Sequence, residues 1–294
     1  MIKKNSVIIT GGAGFVGSNL ISYLLKKTKY NLISIDNYSS GFKKNHLKNK
    51  RINYINANTK DINKLINKPE KIQVVFHFGE FARIYQSFLN MNECIDSNTV
   101  GTHSVFNFCL KNKIKLIYSA TSASLGNRGN DRNLSPYAFT KSKNLELLEN
   151  LKKWFNFKFE VIYFYNVYGP KQISTGKMST VIGIFEEAYK NKKPLPVVKP
   201  GSQTRRFTHI NDTVRICYLA WRKNLSRHYS ISSKKSYSIN EVANMFKSKV
   251  RYLKKRPGER YASALTNMNL SNKVYKYFGK INLKDYVNDF INNH

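Results

Sequence analysis

Thr10-Gly-Gly-Ala-Gly-Phe-Val-Gly17 is the stretch on which the reading of the fold turns. A short apolar run, Ser6–Thr10, leads into it. Phe15–Lys27 follows, with Phe15, Leu20, Tyr23 and Leu24 at helical spacing. Strand, glycine turn, helix is the order in which a chain builds a phosphate cradle. Gly11 allows the tight turn, Gly14 lets the backbone approach a pyrophosphate, and Gly17 permits close helix packing. The helix N-terminus, at Phe15 and Val16, offers unpaired N–H groups and a favourable dipole. Asn31–Asp36 reads as the next strand, and Asp36 stands 19 residues after Gly17. A carboxylate there accepts from ribose hydroxyls and repels a 2′-phosphate, so the cofactor is expected to be NAD rather than NADP. Asn37 follows Asp36 directly and joins the expected cofactor contacts; a plain turn residue is the other reading of Asp36.

Working outward, strands are predicted at 51–56, 72–78, 114–119 and 159–165, with helices at 91–112 and 137–155. The alternation predicts an α/β fold of the Rossmann type, a doubly wound parallel sheet. Right-handed crossovers then gather the strand-to-helix loops along one carboxyl edge, where ligands bind. After Pro170 the rhythm changes. Helices are expected at 178–191 and 211–221, a strand near 228–231, and three short helical segments from 238 to the end. We read residues 1–166 as the NAD-binding domain and 167–294 as a smaller, mainly substrate-binding lobe, with a segment near 205–231 returning to the sheet.

Tyr137 and Lys141 are four apart and share one face of the predicted helix. A free tyrosine is too weakly acidic to serve as a base at neutral pH. A neighbouring ammonium and an oxidised nicotinamide both favour its phenolate, which makes Tyr137 a usable general base with Lys141 as its partner. The strand before this helix ends in Thr121-Ser-Ala-Ser-Leu-Gly126. Thr121 is the choice for the hydroxyl that bonds the substrate oxygen, ahead of Ser122 and Ser124; helix capping or loop solvation is the alternative for each.

Composition sets outer bounds. The chain has 294 residues, 41% of them hydrophobic, enough for one large α/β domain with a lobe. No apolar run approaches the ~20 residues of a membrane span, and the first residues lead straight into a strand rather than a signal peptide. Cys94, Cys109 and Cys217 are too few and too scattered for a disulfide frame or a metal site, which points to reduced thiols in a cytoplasmic protein. The net charge of +33 allows two readings, nucleic-acid binding or compositional bias. Lys, Asn and Ile are used heavily from end to end without a basic arm, which favours bias and no nucleic-acid partner.

Together these residues resemble the extended short-chain dehydrogenase/reductase family of sugar-nucleotide epimerases and dehydratases. The likeness also runs through Asp36-Asn-Tyr-Ser-Ser-Gly41, Asn98-x-x-Gly-Thr102, Asn166-Val-Tyr-Gly-Pro170, Gly201-Ser-Gln-Thr-Arg-Arg-Phe-Thr208 and Arg256-Pro-Gly-Glu259. It implies that Lys141 also contacts the nicotinamide ribose and that Asn58 lies near the adenine, where the family more often has Asp. It implies further that Asn166 contacts the sugar nucleotide and that Arg205 and Arg256 reach its diphosphate. Relatives that eliminate water carry an Asp-Glu pair directly after the Thr121 position, and related decarboxylases place Glu at the second of those sites. This chain has Ser122 and Ala123, so it looks most like a UDP-hexose 4-epimerase. At the position lining the sugar pocket, seven after Arg256, it has Ser263, which implies room for an N-acetyl group. Ser87 is a candidate substrate contact. Glu80, in a segment that is small and alanine-rich in relatives, reads as a cofactor-side structural contact, with a second acid/base group as the alternative. The resemblance implies a homodimer formed by the helices at 91–112 and 137–155. Rival readings are a sugar-nucleotide 4-ketoreductase or other epimerase/reductase of the family, and a protein that binds NAD or a sugar nucleotide without catalysis.

Overall fold

The computed structural model describes residues 5–125, 133–258 and 274–294. Its centre is an eight-stranded sheet. β1 (Ser6–Thr10), β2 (Asn31–Asp36), β3 (Ile52–Asn56), β4 (Ile72–His77), β5 (Lys115–Thr121) and β6 (Phe159–Phe164) stand in the spatial order β3-β2-β1-β4-β5-β6. The strands His228–Ser232 and Val274–Phe278 extend it beyond β6, and every neighbouring pair is parallel. The winding reverses between β1 and β4, which opens a crevice at their carboxyl ends.

The inner strands are nearly continuous apolar runs because helices cover both faces. Side chains alternate accordingly. Ile8, Val75, Leu116 and Val161 pack on one face with Val105, Phe106 and Leu148. Val7, Ile9, Val74, Phe76 and Ile117 point the other way, onto Leu20 and Leu24 of helix α1 (Phe15–Lys27) and onto Val214, Cys217 and Trp221. A separate apolar cluster in the second half joins Tyr168, Phe185, Leu195, Val197, Phe207, Val242, Phe246 and Val287. No described helix is long and apolar enough to cross a membrane.

Two expectations need correction. The expected helix at 91–112 is Met91–Ile95 and Thr102–Lys111 joined by a π-helical stretch, Asp96–Gly101. Within it Asn98 reaches back to the loop after β4, accepting from Phe81 N at 2.6 Å and donating to Phe81 O at 3.1 Å. Such wide turns recur where a helix serves a site. After residue 238, the described residues form two helices, Ile239–Met245 and Leu283–Asn292, and two strands, Val250–Leu253 and Val274–Phe278. Tyr275 and Tyr277 alternate along the second of these strands, as β-propensity favours, so the described part of this segment mixes strands with helices.

Candidate active site

The glycine turn is packed too tightly for side chains. Gly11 has φ +67°, and a Cβ there would lie 2.8 Å from the Phe78 carbonyl carbon. A Cβ on Gly17 would lie 2.1 Å from the carbonyl oxygen of Gly11. α1 has Gly14 as its N-cap, with no side-chain cap and no acidic residue in the first turn. Its terminal N–H groups therefore remain available to an anion. Asp36, at the end of β2, is buried and accepts from Ala13 N at 2.9 Å and Tyr38 N at 2.8 Å. Burial lifts its carboxyl above the usual carboxylate range, and the N–H groups of Tyr38, Ala13 and Gly14 oppose that rise. Asn37 and Asn58 close the rim by a 2.8 Å bond from Asn37 Nδ2 to Asn58 Oδ1. Bare glycines under a helix N-terminus, with a carboxylate at the next strand end, fit a dinucleotide.

The same crevice is a cavity of about 330 Å³ lined by Gly11, Gly14, Phe15, Val16, Gly17, Asp36, Asn37, Asn58, Thr121, Tyr137 and Lys141. That is within the usual size of small-molecule sites. Tyr137 and Lys141 enter it from the helix Pro136–Phe155. This helix starts with proline in its first turn and with Ser135 as N-cap, whose hydroxyl accepts from Ala138 N at 3.0 Å. Thr121 is the last residue of β5, and its hydroxyl accepts from Ala123 N at 3.1 Å. Ser122 and Ala123 follow it, so no carboxylate stands directly after Thr121.

Lys141 is buried, and its ammonium pairs with Glu80 from the loop after β4. It also donates to Ser119 O at 2.5 Å and Tyr118 Oη at 3.3 Å, and lies over the Tyr118 ring. Burial pulls the lysine below its ordinary range, and Glu80 opposes that fall. Glu80 Oε1 accepts from Tyr118 Oη at 3.0 Å, Thr102 Oγ1 at 3.1 Å and Asn144 Nδ2 at 3.3 Å. His77 lies 3.0 Å from Thr102 Oγ1 and 2.7 Å from Thr10 Oγ1. It is fully buried, and burial pushes it down to about 4, so the imidazole is neutral.

Ser87, Asn166, Arg205 and Arg256 do not line this cavity. Ser87 is fully buried, donates to Ile84 O at 2.6 Å and accepts from Tyr137 N at 3.2 Å, so it anchors the start of the helix Pro136–Phe155 instead of lining the cavity. Asn166, at φ +27°, donates to Arg206 O at 3.0 Å. Arg205 is buried in the two-residue strand Thr204–Arg205. Arg256 is exposed, its guanidinium 5.1 Å from the Tyr85 ring centre. Ser263 lies outside the described residues. Sequence reasoning missed Arg83, which lines the cavity, holds Met178 O through Nε at 2.9 Å and interacts electrostatically with Tyr137. It also missed the Thr10–His77–Thr102 chain. Polar residues at successive strand and loop ends were the available signal.

Comparison with known proteins bears on this arrangement. The NAD-dependent epimerase/dehydratase family profile matches residues 7–232. A protein of Methanocaldococcus jannaschii, provisionally named a UDP-glucose 4-epimerase, is 26% identical over 97% of both chains. The UDP-glucose 4-epimerase of Thermotoga maritima, solved with UDP-glucose, shares the fold at TM-score 0.84 and 22% identity, over 98% of this chain and 97% of that one. The UDP-glucuronic acid 4-epimerase of Bacillus cereus, solved with UDP-glucuronic acid and NAD, aligns at TM-score 0.84 and 25% identity, over 98% and 99%. With the glycine turn, the carboxylate of Asp36 and the tyrosine–lysine pair in one crevice, the chain belongs to the NAD-dependent epimerase/dehydratase family, and its cofactor is NAD.

Proposed function

We propose that the protein inverts the 4-hydroxyl of a nucleotide-linked hexose, a UDP-sugar, through a transient 4-keto sugar. One observation carries the reading. Tyr137, Lys141 and Thr121 share the cavity with the glycine turn, while Ser122 and Ala123 provide none of the acid groups that elimination or decarboxylation would use. The cavity carboxylates are otherwise engaged or peripheral: Asp36 is bonded at the cofactor end, Glu80 pairs with Lys141, Asp96 pairs with Lys60 at 3.2 Å, and Glu93 is exposed.

Bound NAD supplies reversible acceptance and return of a hydride at the sugar carbon. Tyr137 removes the 4-hydroxyl proton as that carbon is oxidised, and returns it as the keto sugar is reduced on its opposite face. Lys141 favours the phenolate by its charge. Thr121 donates to the sugar oxygen and orients it toward Tyr137. Asn166, Arg205 and Arg256 are proposed to hold the nucleotide diphosphate end, and Ser263 to admit an N-acetyl group.

We also propose a homodimer. Leu89 at the end of the helix Ile84–Leu89, Met91, Ile95 and Val100 on the helical stretch after it, and Phe139 on the helix Pro136–Phe155 are exposed, an apolar face that a second copy would cover.

The test is incubation of purified protein with UDP-glucose, UDP-galactose and their N-acetyl counterparts without added nicotinamide, with products separated by chromatography. Epimer formation with no net NAD consumption is expected. Tyr137→Phe is expected to abolish it while retaining NAD. Stoichiometric nicotinamide consumption, or full turnover by Tyr137→Phe, would defeat the reading.

A further inference from the structure

We propose that Glu80 is a positioning residue: it holds Lys141 in place as an ammonium and through it sets the pH range in which Tyr137 gives up its proton. This rests on the reading of Tyr137 and Lys141 as the proton-moving pair.

The argument begins with burial. The Lys141 side chain is 4% exposed and that of Glu80 is 3% exposed. A lone ammonium so far from water favours losing its proton. The groups that face it from each neighbouring element leave a single negative charge. On β4, His77 is neutral. On β5, Tyr118 is buried and held well above the ordinary phenol range by burial first and Glu80 second. From Met91–Ile95, Cys94 is pushed up to about 11 by burial and remains a thiol. On its own helix, Tyr137 is the group to be ionised, with Arg83 beyond it. The loop after β4 contributes Glu80.

The groups around Glu80 are all donors, which matches the acceptor-only chemistry of a carboxylate. Thr102 and Tyr118 hydroxyls donate to Oε1, and Lys141 donates to Oε2. The chain behind it has one consistent direction. Phe78 N and Gly79 N donate to Thr10 Oγ1 at 3.1 and 3.0 Å, leaving that hydroxyl to donate to His77 Nδ1. His77 Nε2–H donates to Thr102, which donates to Glu80. The tautomer follows from these partners. Thr10 precedes Gly11, so one buried chain links the cofactor turn to the catalytic lysine.

The experiment compares wild type, Glu80→Gln and Glu80→Asp in two readouts. One is the pH dependence of kcat. The other is absorbance at 295 nm against pH, with the Tyr137→Phe signal subtracted, which reports ionisation of Tyr137 without turnover. Glu80→Gln leaves the buried lysine without a counter-charge, so Lys141 becomes neutral and Tyr137 loses its cationic neighbour. The acid limb of kcat and the 295 nm midpoint are both expected to move up by at least one pH unit, the low end of an adjacent charge's effect. Glu80→Asp keeps the charge at greater distance and is expected to move both upward by less. It provides the answer should the glutamine variant not fold. A downward shift would mean Glu80 only screens Lys141, and unchanged midpoints would mean it only packs; either overturns the inference. Full turnover by Tyr137→Phe overturns the parent reading instead, and the absorbance titration still decides the role of Glu80.

Discussion

Replacing Lys141 by methionine keeps the length of the side chain and removes its charge, leaving the Glu80 carboxylate buried with only neutral donors. Stripping one partner from a buried ion pair costs about 3–5 kcal/mol. The structure places a ceiling on that cost, because the stranded carboxyl has an escape. It can take a proton, and at pH 7, about 2.7 units above an ordinary glutamate, this costs about 3.7 kcal/mol at 1.36 kcal/mol per unit. Tyr118, Thr102 and Asn144 still donate to it and reduce the cost somewhat. The expected loss at pH 7 is therefore about 3 kcal/mol. The sign with pH follows from the proton. In the variant the carboxyl binds its proton more tightly folded than unfolded, so the variant is nearest to wild type in acid and falls behind as pH rises. By pH 5 the loss should shrink to about 1 kcal/mol. Urea unfolding of wild type, Lys141→Met, Glu80→Gln and the double variant at both pH values measures this. The double variant should recover about 2 kcal/mol relative to the sum of the singles. A loss below 1 kcal/mol at pH 7, or one equal at both pH values, would refute the reasoning.

Other outcomes are expected elsewhere in the crevice. Gly17→Ala puts a methyl group 2.1 Å from the Gly11 carbonyl oxygen, so the turn must shift; NAD retained through purification should fall at least tenfold, and retention at the wild-type level would count against the cradle. Asp36→Ala removes the acceptor of the Ala13 and Tyr38 N–H groups; at about 1.5–3 kcal/mol for a hydrogen bond to a charged group, NAD affinity by fluorescence titration should drop at least tenfold and the preference over NADP should narrow. A double Leu89→Glu, Val100→Glu substitution places charges on the exposed apolar helical face; sedimentation should show monomers where wild type sediments as a dimer. His77→Asn substitutes a smaller amide for the neutral link between Thr10 and Thr102; thermal unfolding should show a loss of about 1–3 kcal/mol from unsatisfied buried partners, and an unchanged Tm would argue against the chain.

Much of the architecture was legible because its signals are local. The apolar runs of β1, β2, β4 and β5 and the alternation with helices follow from side-chain period and burial, which neighbouring residues carry. The glycines of the turn are required by backbone approach, and Tyr137 and Lys141 share a face by helical geometry alone. The departures arose where distant segments decide. The π-helical stretch at Asp96–Gly101 answers to Asn98 bonding Phe81, a contact between elements that no period encodes. Ser87 resembled a substrate contact by position, but its hydroxyl serves the backbone of Tyr137.

The sequence by itself determined the layered sheet and the NAD-binding crevice, and it placed Tyr137 and Lys141 on one helix face, since each of these follows from local spacing and side-chain period. Only the tertiary structure decided what Lys141 is bonded to. Glu80 is 61 residues away along the chain, and the two meet because β4 and β5 are adjacent in the sheet and the helix Pro136–Phe155 packs beside β5. A buried charge takes its state from whichever partner the fold brings within hydrogen-bond reach, and that partner is chosen by topology rather than by neighbours in sequence.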